Sequence, residues 1–285
     1  MSTSPQFASV NGVQIAYDRL GQGFPILLIH GFPRDRRLWR KVAPALSERF
    51  DTVALDRRGY GESDRPLDPD GFTNASMTAD VLELTRQLGW ERFLVVAHDL
   101  GMPVGQRLAA DHPDRVAGAV LLDSLPQGAG RADRRDPTGR SWYMDFHKQR
   151  GVAEQLIGQN PRLYFSLFLA RNQHLSPEEH EMFLEPFCRP GSVEAVLADY
   201  RHMLEDDEAR WAEWFKDGNT ITTPLLILWA GRGPSANAPV LETWRRVAQD
   251  VRGEMIPDTA HYIQEEQPQA VIEQIQRFAD ELVIP

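Results

Sequence analysis

A short apolar run about one third of the way along the chain ends abruptly in residues that could do chemistry. Residues 93–97 are apolar, Asp99 and Gly101 follow, and a helix-like segment begins at Pro103. Strand, sharp turn and helix is the layout of a nucleophile elbow, here with Asp99 as the nucleophile. Such a turn strains the backbone of its central residue, so small neighbours are required, and Ala97 and Gly101 provide them.

A carboxylate at an elbow is limited in what it can usefully attack. Asp99 is ionised near neutral pH and needs no activation. Attack on an ester or amide would give an anhydride, which is an uphill product. Attack on an electrophilic saturated carbon gives an alkyl ester and expels an alkoxide or a halide. The predicted substrate is therefore a small molecule with such a carbon, an epoxide or an organohalide, and water is the co-substrate that hydrolyses the ester.

Hydrolysis of that ester needs a general base and a carboxylate to orient it. His261 lies in a late loop, after the last predicted strand and before the closing helix, and is the candidate base. The carboxylate could follow the strand that ends at Trp229 or the one that ends at Leu122. Residues 230–241 contain no Asp or Glu, so Asp123 is the better candidate.

The tetrahedral oxyanion formed on Asp99 needs backbone N–H donors. The N–H of Leu100, just past the nucleophile, and the N–H of Phe32, in the tight loop 30–33, are the predicted donors. His30 begins this loop and is expected to be mainly structural, although we also predict that it lies against the substrate.

Composition narrows the class of protein. The 285-residue chain has a formal net charge of −10, which argues against nucleic acid or an anionic membrane as a partner. Its single cysteine, Cys188, excludes an internal disulfide and suits a reducing compartment. No signal-peptide pattern or membrane-length apolar run is present, so we expect a soluble cytoplasmic protein. No metal or organic cofactor is implied, and the oligomeric state stays open, a homodimer being one option.

The surrounding elements predict an α/β architecture. Strand and helix patterns alternate through residue 123, which indicates a mostly parallel sheet with helices on both faces. The residue pattern then changes. A Gly- and Arg-rich connection is followed by a long, aromatic-rich helical stretch, and the strand pattern then resumes. We predict a core of residues 1–126 and 219–285, with residues 127–218 inserted as a helical lid at the carboxyl edge of the sheet, where ligands bind in such folds.

Four short segments resemble landmarks of one known family. They are His-Gly-Phe-Pro at 30–33, Asp-Arg-Arg-Gly-Tyr-Gly-Glu-Ser at 56–63, His-Asp-Leu-Gly at 98–101 and the loop around His261. Together they resemble the α/β-hydrolase superfamily, specifically its Asp-nucleophile branch of epoxide hydrolases and haloacetate or haloalkane dehalogenases. The likeness runs through nearly the whole chain and is less specific for substrate than for fold.

The resemblance implies further roles in the lid. In the epoxide hydrolases, lid tyrosines hydrogen-bond the ring oxygen and protonate the leaving alkoxide. Tyr200 resembles one of these tyrosines and Tyr143 the other, although both could instead be aromatic packing. A phenol suits the acid role because its ordinary pKa is near 10. Trp142 and Phe146, beside Tyr143, are predicted to contact the substrate.

Three functions remain open, with epoxide hydrolysis first. Haloacetate dehalogenases bind the substrate carboxylate with arginines just after the nucleophile, where this chain has Leu100 and Pro103. Haloalkane dehalogenases place a Trp directly after the nucleophile, and only Trp142 could replace it. A dehalogenase is therefore the second hypothesis. A non-catalytic ligand-binding protein on this fold ranks third, because its triad would be expected to be degraded.

Overall fold

A computed structural model describes residues 4–129, 141–170, 174–233 and 235–282 of the chain. The predicted connection after residue 127 lies largely outside these residues. Within them, no helix has both the length and the apolar character needed to cross a membrane.

An eight-stranded sheet with the order β1-β2-β4-β3-β5-β6-β7-β8 forms the centre of the molecule. Its strands are β1 (Gln6–Val10), β2 (Val13–Leu20), β3 (Phe24–Ile29), β4 (Phe50–Leu55), β5 (Phe93–His98), β6 (Val116–Leu122), β7 (Leu225–Ala230) and β8 (Val251–Ile256). The β1-β2 and β2-β4 pairs are antiparallel, and the pairs from β4 through β8 are parallel. The predicted α/β fold, with a mostly parallel sheet, is confirmed.

Local sequence explains the ends and the middle of this sheet. The β1-β2 hairpin turns at Asn11 and Gly12, which have φ values of 46° and 81°. Such left-handed conformations are accessible to Asn and Gly. The central strands β5 and β6 are buried along their whole length. Continuous apolar runs are expected there, because helices cover both faces of a parallel sheet.

Helices cover the two faces of the sheet and bury one apolar cluster against each. Along the core these are α1 (Ala43–Leu46), α2 (Asn74–Gln87) and α3 (Met102–Asp111), then, after the insertion, α10 (Val240–Arg245), α11 (Ile263–Glu266) and α12 (Pro268–Glu281). Helices α2, α3 and α10 pack on one face, with Val81, Leu108 and Trp244 in that cluster. Helices α1 and α12 pack on the other, with Leu46 and Phe278.

Residues 38–46 have an amphipathic pattern that predicts a helix, but they do not form one continuous helix. The segment is a 3-10 helix at Arg36–Lys41 followed by the single-turn α1. Pro44 lies at the start of α1, where its missing N–H interrupts the hydrogen-bond ladder. The sequence analysis does not predict the short helices α10 and α11, because a helix of four to six residues shows too little periodicity to be recognised.

Further helices lie between β6 and β7, in the span predicted to be helical. They are α4 (Trp142–His147), α5 (Val152–Gln159), α6 (Pro161–Leu169), α7 (Pro177–Leu184), α8 (Ser192–His202) and α9 (Glu208–Lys216). We call this segment the helical insertion. Its apolar cluster includes Phe165, Phe187 and Tyr200, and it also takes in Phe32 and Leu100 from the sheet core. The insertion therefore packs directly on the loops at the carboxyl edge of the sheet.

Candidate active site

Asp99 lies on a strained turn between β5 and α3. Its φ is 51°, a left-handed conformation that a non-glycine residue rarely adopts. The turn leaves no space for neighbouring side chains. A Cβ on Gly101 would lie 2.6 Å from the carbonyl oxygen of His30, and a Cβ on Gly31 would lie 2.6 Å from Asp99 Oδ1. Glycine at these two positions is thus what allows the tight loop of His30 and the elbow to approach each other.

The two carboxylate oxygens of Asp99 have different partners. Oδ1 accepts a hydrogen bond from the backbone N–H of Phe32 at 2.8 Å, and Oδ2 lies 3.1 Å from His261 Nε2. Burial opposes ionisation of Asp99, but the hydrogen bond and charge of His261 outweigh it and hold the pKa of the carboxyl below its ordinary range. Leu100, the other predicted oxyanion donor, follows Asp99 on the turn and is buried. Oδ1 therefore faces the tight loop of His30 and Oδ2 faces the imidazole.

The structure brings His261 and Asp123 together with Asp99. His261 Nδ1 lies 2.6 Å from Asp123 Oδ2, and Asp123 Oδ1 accepts the backbone N–H of Ala230 at 3.1 Å. Asp123 directly follows β6 and has a φ of 49°. Burial disfavours the imidazolium, but the hydrogen bonds to Asp123 and Asp99 raise the pKa of His261 to about 10. The resting site thus holds a protonated imidazole between two carboxylates.

Two residues that the sequence analysis missed hold the His261 loop in place. Glu266 accepts the backbone N–H of Ala260 at 2.8 Å and that of Tyr262 at 3.3 Å, on either side of His261. His98 Nε2 lies 2.9 Å from the carbonyl oxygen of His261. Burial lowers the pKa of His98 to about 4, so this ring is neutral and donates to that carbonyl. Both contacts join residues distant in sequence or depend on the loop's shape, and no local motif signals them.

The rings of the two predicted lid tyrosines contact each other edge to face. The ring centroids of Tyr143 and Tyr200 are 5.8 Å apart, and that of Tyr200 is 5.4 Å from Phe32. Burial raises the pKa of Tyr200 well above its ordinary value, and the Tyr143 hydroxyl and the Asp99 carboxylate add to this effect. Tyr200 is therefore a protonated phenol at neutral pH.

The predicted substrate-contact residues occupy three different environments. His30 is fully buried, accepts the backbone N–H of Arg57 at 3.1 Å through Nε2, and has its pKa lowered to about 3, mainly by burial. Phe146 is partly buried against the aromatic cluster of the insertion. Trp142 is 48 % exposed, with its ring centroid 5.9 Å from that of Phe146. His30 thus has the contacts of a structural residue, and Trp142 lies towards the outside of the insertion.

One further histidine, His147, lies among the lid tyrosines and was not recognised from sequence. Its Nε2 is 2.6 Å from the Tyr164 hydroxyl, and its ring centroid is 4.4 Å from that of Tyr200. Burial lowers its pKa to about 3, with the charge of Arg201 adding to the shift. His147 is therefore a neutral polar group within the aromatic wall. Its position one turn after Tyr143 on α4 is the signal that could have indicated it.

The raised pKa of His261 predicts a pH-dependent stability. A group whose pKa is about 6.5 when unfolded and about 10 when folded stabilises the protein fully below pH 6.5, and this contribution is lost as the pH rises towards 10. Between these values the free energy of unfolding should fall by about 1.4 kcal/mol per pH unit relative to His261→Gln. Urea unfolding of both proteins at several pH values measures this difference. Parallel curves from pH 7 to 9.5 would contradict the protonated resting state.

The chain is similar to known proteins over most of its length. The model of a family described as alpha/beta hydrolase fold matches residues 25–268. The chain is 31% identical to a soluble epoxide hydrolase from Corynebacterium sp. (strain C12), over 95% of each protein. It is 34% identical to a fluoroacetate dehalogenase from Burkholderia sp., over 64% of this chain and 63% of that one. A Pseudomonas aeruginosa structure, described as a candidate epoxide hydrolase, is 32% identical, with a TM-score of 0.89 over 96% of this chain and 94% of that one.

Proposed function

The chain belongs to the α/β-hydrolase fold family, and on that premise we propose that it is an epoxide hydrolase that acts through an ester on Asp99. The observation that carries the proposal is the arrangement of Asp99, with one oxygen on the Phe32 N–H and the other 3.1 Å from His261. The epoxide hydrolase from Corynebacterium sp. supports it, since its similarity spans 95% of both chains.

In the first step Asp99 Oδ2 attacks a carbon of the epoxide ring. A carbon–oxygen bond to Asp99 forms, the ring carbon–oxygen bond breaks, and the ring oxygen takes a proton from Tyr200 or Tyr143. The pKa of Tyr200 is raised, so the phenol is fully protonated and available as the acid. The helical insertion acts as a lid in this proposal, because it carries both tyrosines over the nucleophile.

In the second step water hydrolyses the ester. Esterification removes the charge of Asp99 and its hydrogen bond to His261, two of the causes that raise the pKa of the imidazole. His261 therefore loses its proton, which restores the phenol that was deprotonated in the first step, and becomes the base that activates water, with Asp123 stabilising the imidazolium that forms again. The oxyanion on Asp99 is stabilised by the N–H groups of Phe32 and Leu100. Collapse releases the diol and returns the carboxylate.

A dehalogenase is the second candidate, and the Burkholderia relative is the observation that favours it. The same Asp99 could expel a halide from carbon. Leu100 and Pro103, however, are buried and apolar. A haloacetate carboxylate would have no cation at these two positions, and burying an unpaired charge is costly. We therefore place haloacetates below neutral epoxides as substrates.

A panel of substrates separates the two functions. Purified protein is incubated with styrene oxide, cyclohexene oxide and 1,2-epoxybutane, and with chloroacetate, fluoroacetate and 1-chlorobutane. We expect diol from at least one epoxide and no halide from the haloacetates, measured by mass spectrometry and ion chromatography. Halide release faster than diol formation would favour the dehalogenase. Turnover of none of the six compounds would contradict both and favour the ligand-binding alternative.

A further inference from the structure

A buried cluster connects the sheet core to the helical insertion directly beside Tyr200. Arg57, on the loop after β4, lies 2.9 Å from Asp199 Oδ2 through Nη1, and both side chains are almost completely buried. The Tyr60 hydroxyl donates to the same Oδ2 at 2.7 Å. The Arg57 guanidinium also lies over the Tyr60 ring, 4.4 Å from its centroid. We call Arg57, Tyr60 and Asp199 the 57–199 cluster.

The cluster contacts the loop that supplies an oxyanion donor and also includes the residue next to the proposed acid. Asp199 immediately precedes Tyr200 on α8, so an anchored Asp199 determines where this turn of the helix lies above the sheet. On the core side, Arg57 Nε donates to the carbonyl oxygen of His30 at 3.1 Å, and the Arg57 N–H donates to His30 Nε2. His30 is two residues before Phe32, whose N–H binds Asp99. One arginine thus contacts both the loop that supplies an oxyanion donor and the carboxylate next to the proposed acid.

The cost of burying this pair suggests that it does more than join two parts of the fold. Burial of a charged carboxyl and guanidinium is unfavourable unless their partners are well placed, and apolar packing often replaces such pairs without loss of stability. A neighbouring pair offers a comparison. Arg58 binds Asp80 of α2 through two contacts of 2.6 Å, and this pair is nearly as buried, but neither side chain forms a hydrogen bond or ion pair with the part of the insertion that the structure describes. Of the two buried ion pairs, only Arg57–Asp199 lies beside Tyr200.

We propose that the 57–199 cluster positions the Tyr200 hydroxyl over the oxygen that leaves when Asp99 opens the epoxide. The inference rests on the proposed function. Arg57, Tyr60 and Asp199 touch neither substrate nor reacting atoms in this account, and act through α8 and Tyr200. Removing the contacts of Asp199 or Tyr60, while Arg57 stays bound to His30, should slow formation of the Asp99 ester, the step that needs the acid, and leave hydrolysis of the ester unchanged.

The test measures the two steps separately. The variants are Asp199→Asn, Tyr60→Phe and Tyr200→Phe, and the matched control is Asp80→Asn, another buried aspartate paired with an arginine of the same loop. The probe is the epoxide of the panel that the wild-type protein converts fastest. Rapid quenching with enzyme in excess and intact-mass analysis give the rates at which the ester forms and disappears. Tyr60→Phe changes no charge, so it tests the proposal even if Asp199→Asn does not fold.

We expect ester formation to slow about 100-fold in Asp199→Asn and about tenfold in Tyr60→Phe, within the range for loss of a positioned acid or of a hydrogen bond to a charge. Ester hydrolysis should stay within twofold of wild type in both. With trifluoromethyloxirane, whose alkoxide is less basic and needs less help from an acid, the losses should shrink to threefold or less, as a rough bound. In the Tyr200→Phe variant, Tyr60→Phe should slow ester formation no further, because the hydroxyl that the cluster positions is already absent.

Other results would overturn the inference. If Tyr60→Phe forms the ester as fast as wild type while Tyr200→Phe is slow, the cluster does not position the acid. If it slows both steps equally, or no more than Asp80→Asn does, the cluster is only structural. Additive losses of Tyr60→Phe and Tyr200→Phe would also contradict it. Failure of the proposed function looks different, since wild-type protein would then form no ester with any epoxide.

Discussion

Asp99→Ala is expected to abolish epoxide hydrolysis, with a loss of about 10⁴-fold or more in kcat/KM, as for removal of other covalent nucleophiles. Among the residues that the structure describes, Asp99 is the one carboxylate that contacts both the Phe32 N–H and the His261 imidazole, so no other is placed to form the ester. The measurement is diol formation with the fastest epoxide of the panel. In a single turnover of wild-type protein in heavy-oxygen water, the diol should contain an unlabelled oxygen from Asp99, and the label should enter the Asp99 carboxylate.

Asp258→Ala is the control for this experiment. Asp258 also has a left-handed φ, 57°, and lies in the loop that leads to His261, but it is exposed. Alanine there meets the same backbone strain as alanine at position 99. The control should therefore keep activity within about threefold, as expected for a surface substitution. If Asp99→Ala retained wild-type turnover, or if the first-turnover diol took its oxygen from solvent, covalent catalysis would be wrong.

His261→Gln is expected to stop the reaction one step later. Asp99 can still attack, but without the imidazole nothing activates water, so the alkyl ester should accumulate. Intact mass should show the protein heavier by the mass of one epoxide, and digestion should locate the addition at Asp99. We expect steady-state turnover to fall by about 10³-fold or more, the scale of a lost general base.

His112→Gln serves as the control, because His112 caps the C-terminal end of α3, whereas Asp99 lies at the turn that precedes the N-terminal end of this helix. It should form no stable ester and should turn over like wild type. The two variants at the site therefore differ in a way that turnover alone does not reveal: Asp99→Ala forms no ester, whereas His261→Gln forms one that persists. An unmodified His261→Gln protein with unchanged turnover would remove His261 from the mechanism.

Much of the fold could be predicted from local pattern. The strands β3 to β7 appear as short, mostly apolar runs, and turn residues or helical periodicity separate them, so both the α/β fold and the helical insertion were predictable. The short helices α10 and α11 were not, since their residues are helical through packing rather than periodicity. The position of Asp123 was predicted by elimination, because no acid lies at 230–241.

The contacts around these residues were much less predictable. Arg57 and Tyr60 lie in the segment 56–63 that the sequence analysis quoted, and Asp199 precedes Tyr200. Nothing in their spacing indicates that residues 142 positions apart form a buried ion pair. His147 and Glu266 were missed for the same reason. A side chain's partner across the molecule depends on how the helical insertion is seated on the sheet, and a linear pattern carries no such information.

The amino-acid sequence by itself determined which groups are present and on which side of the sheet they emerge. Parallel strands place the residues that follow them at one carboxyl edge, so Asp99, Asp123 and His261 had to be neighbours. Only the tertiary structure decided that Oδ2 rather than Oδ1 of Asp99 faces the imidazole, that His261 is protonated at rest, and that a buried arginine lies between the nucleophile's loop and the lid. These properties depend on distances of a few ångströms and on burial, because hydrogen bonds and charge interactions change steeply over such distances.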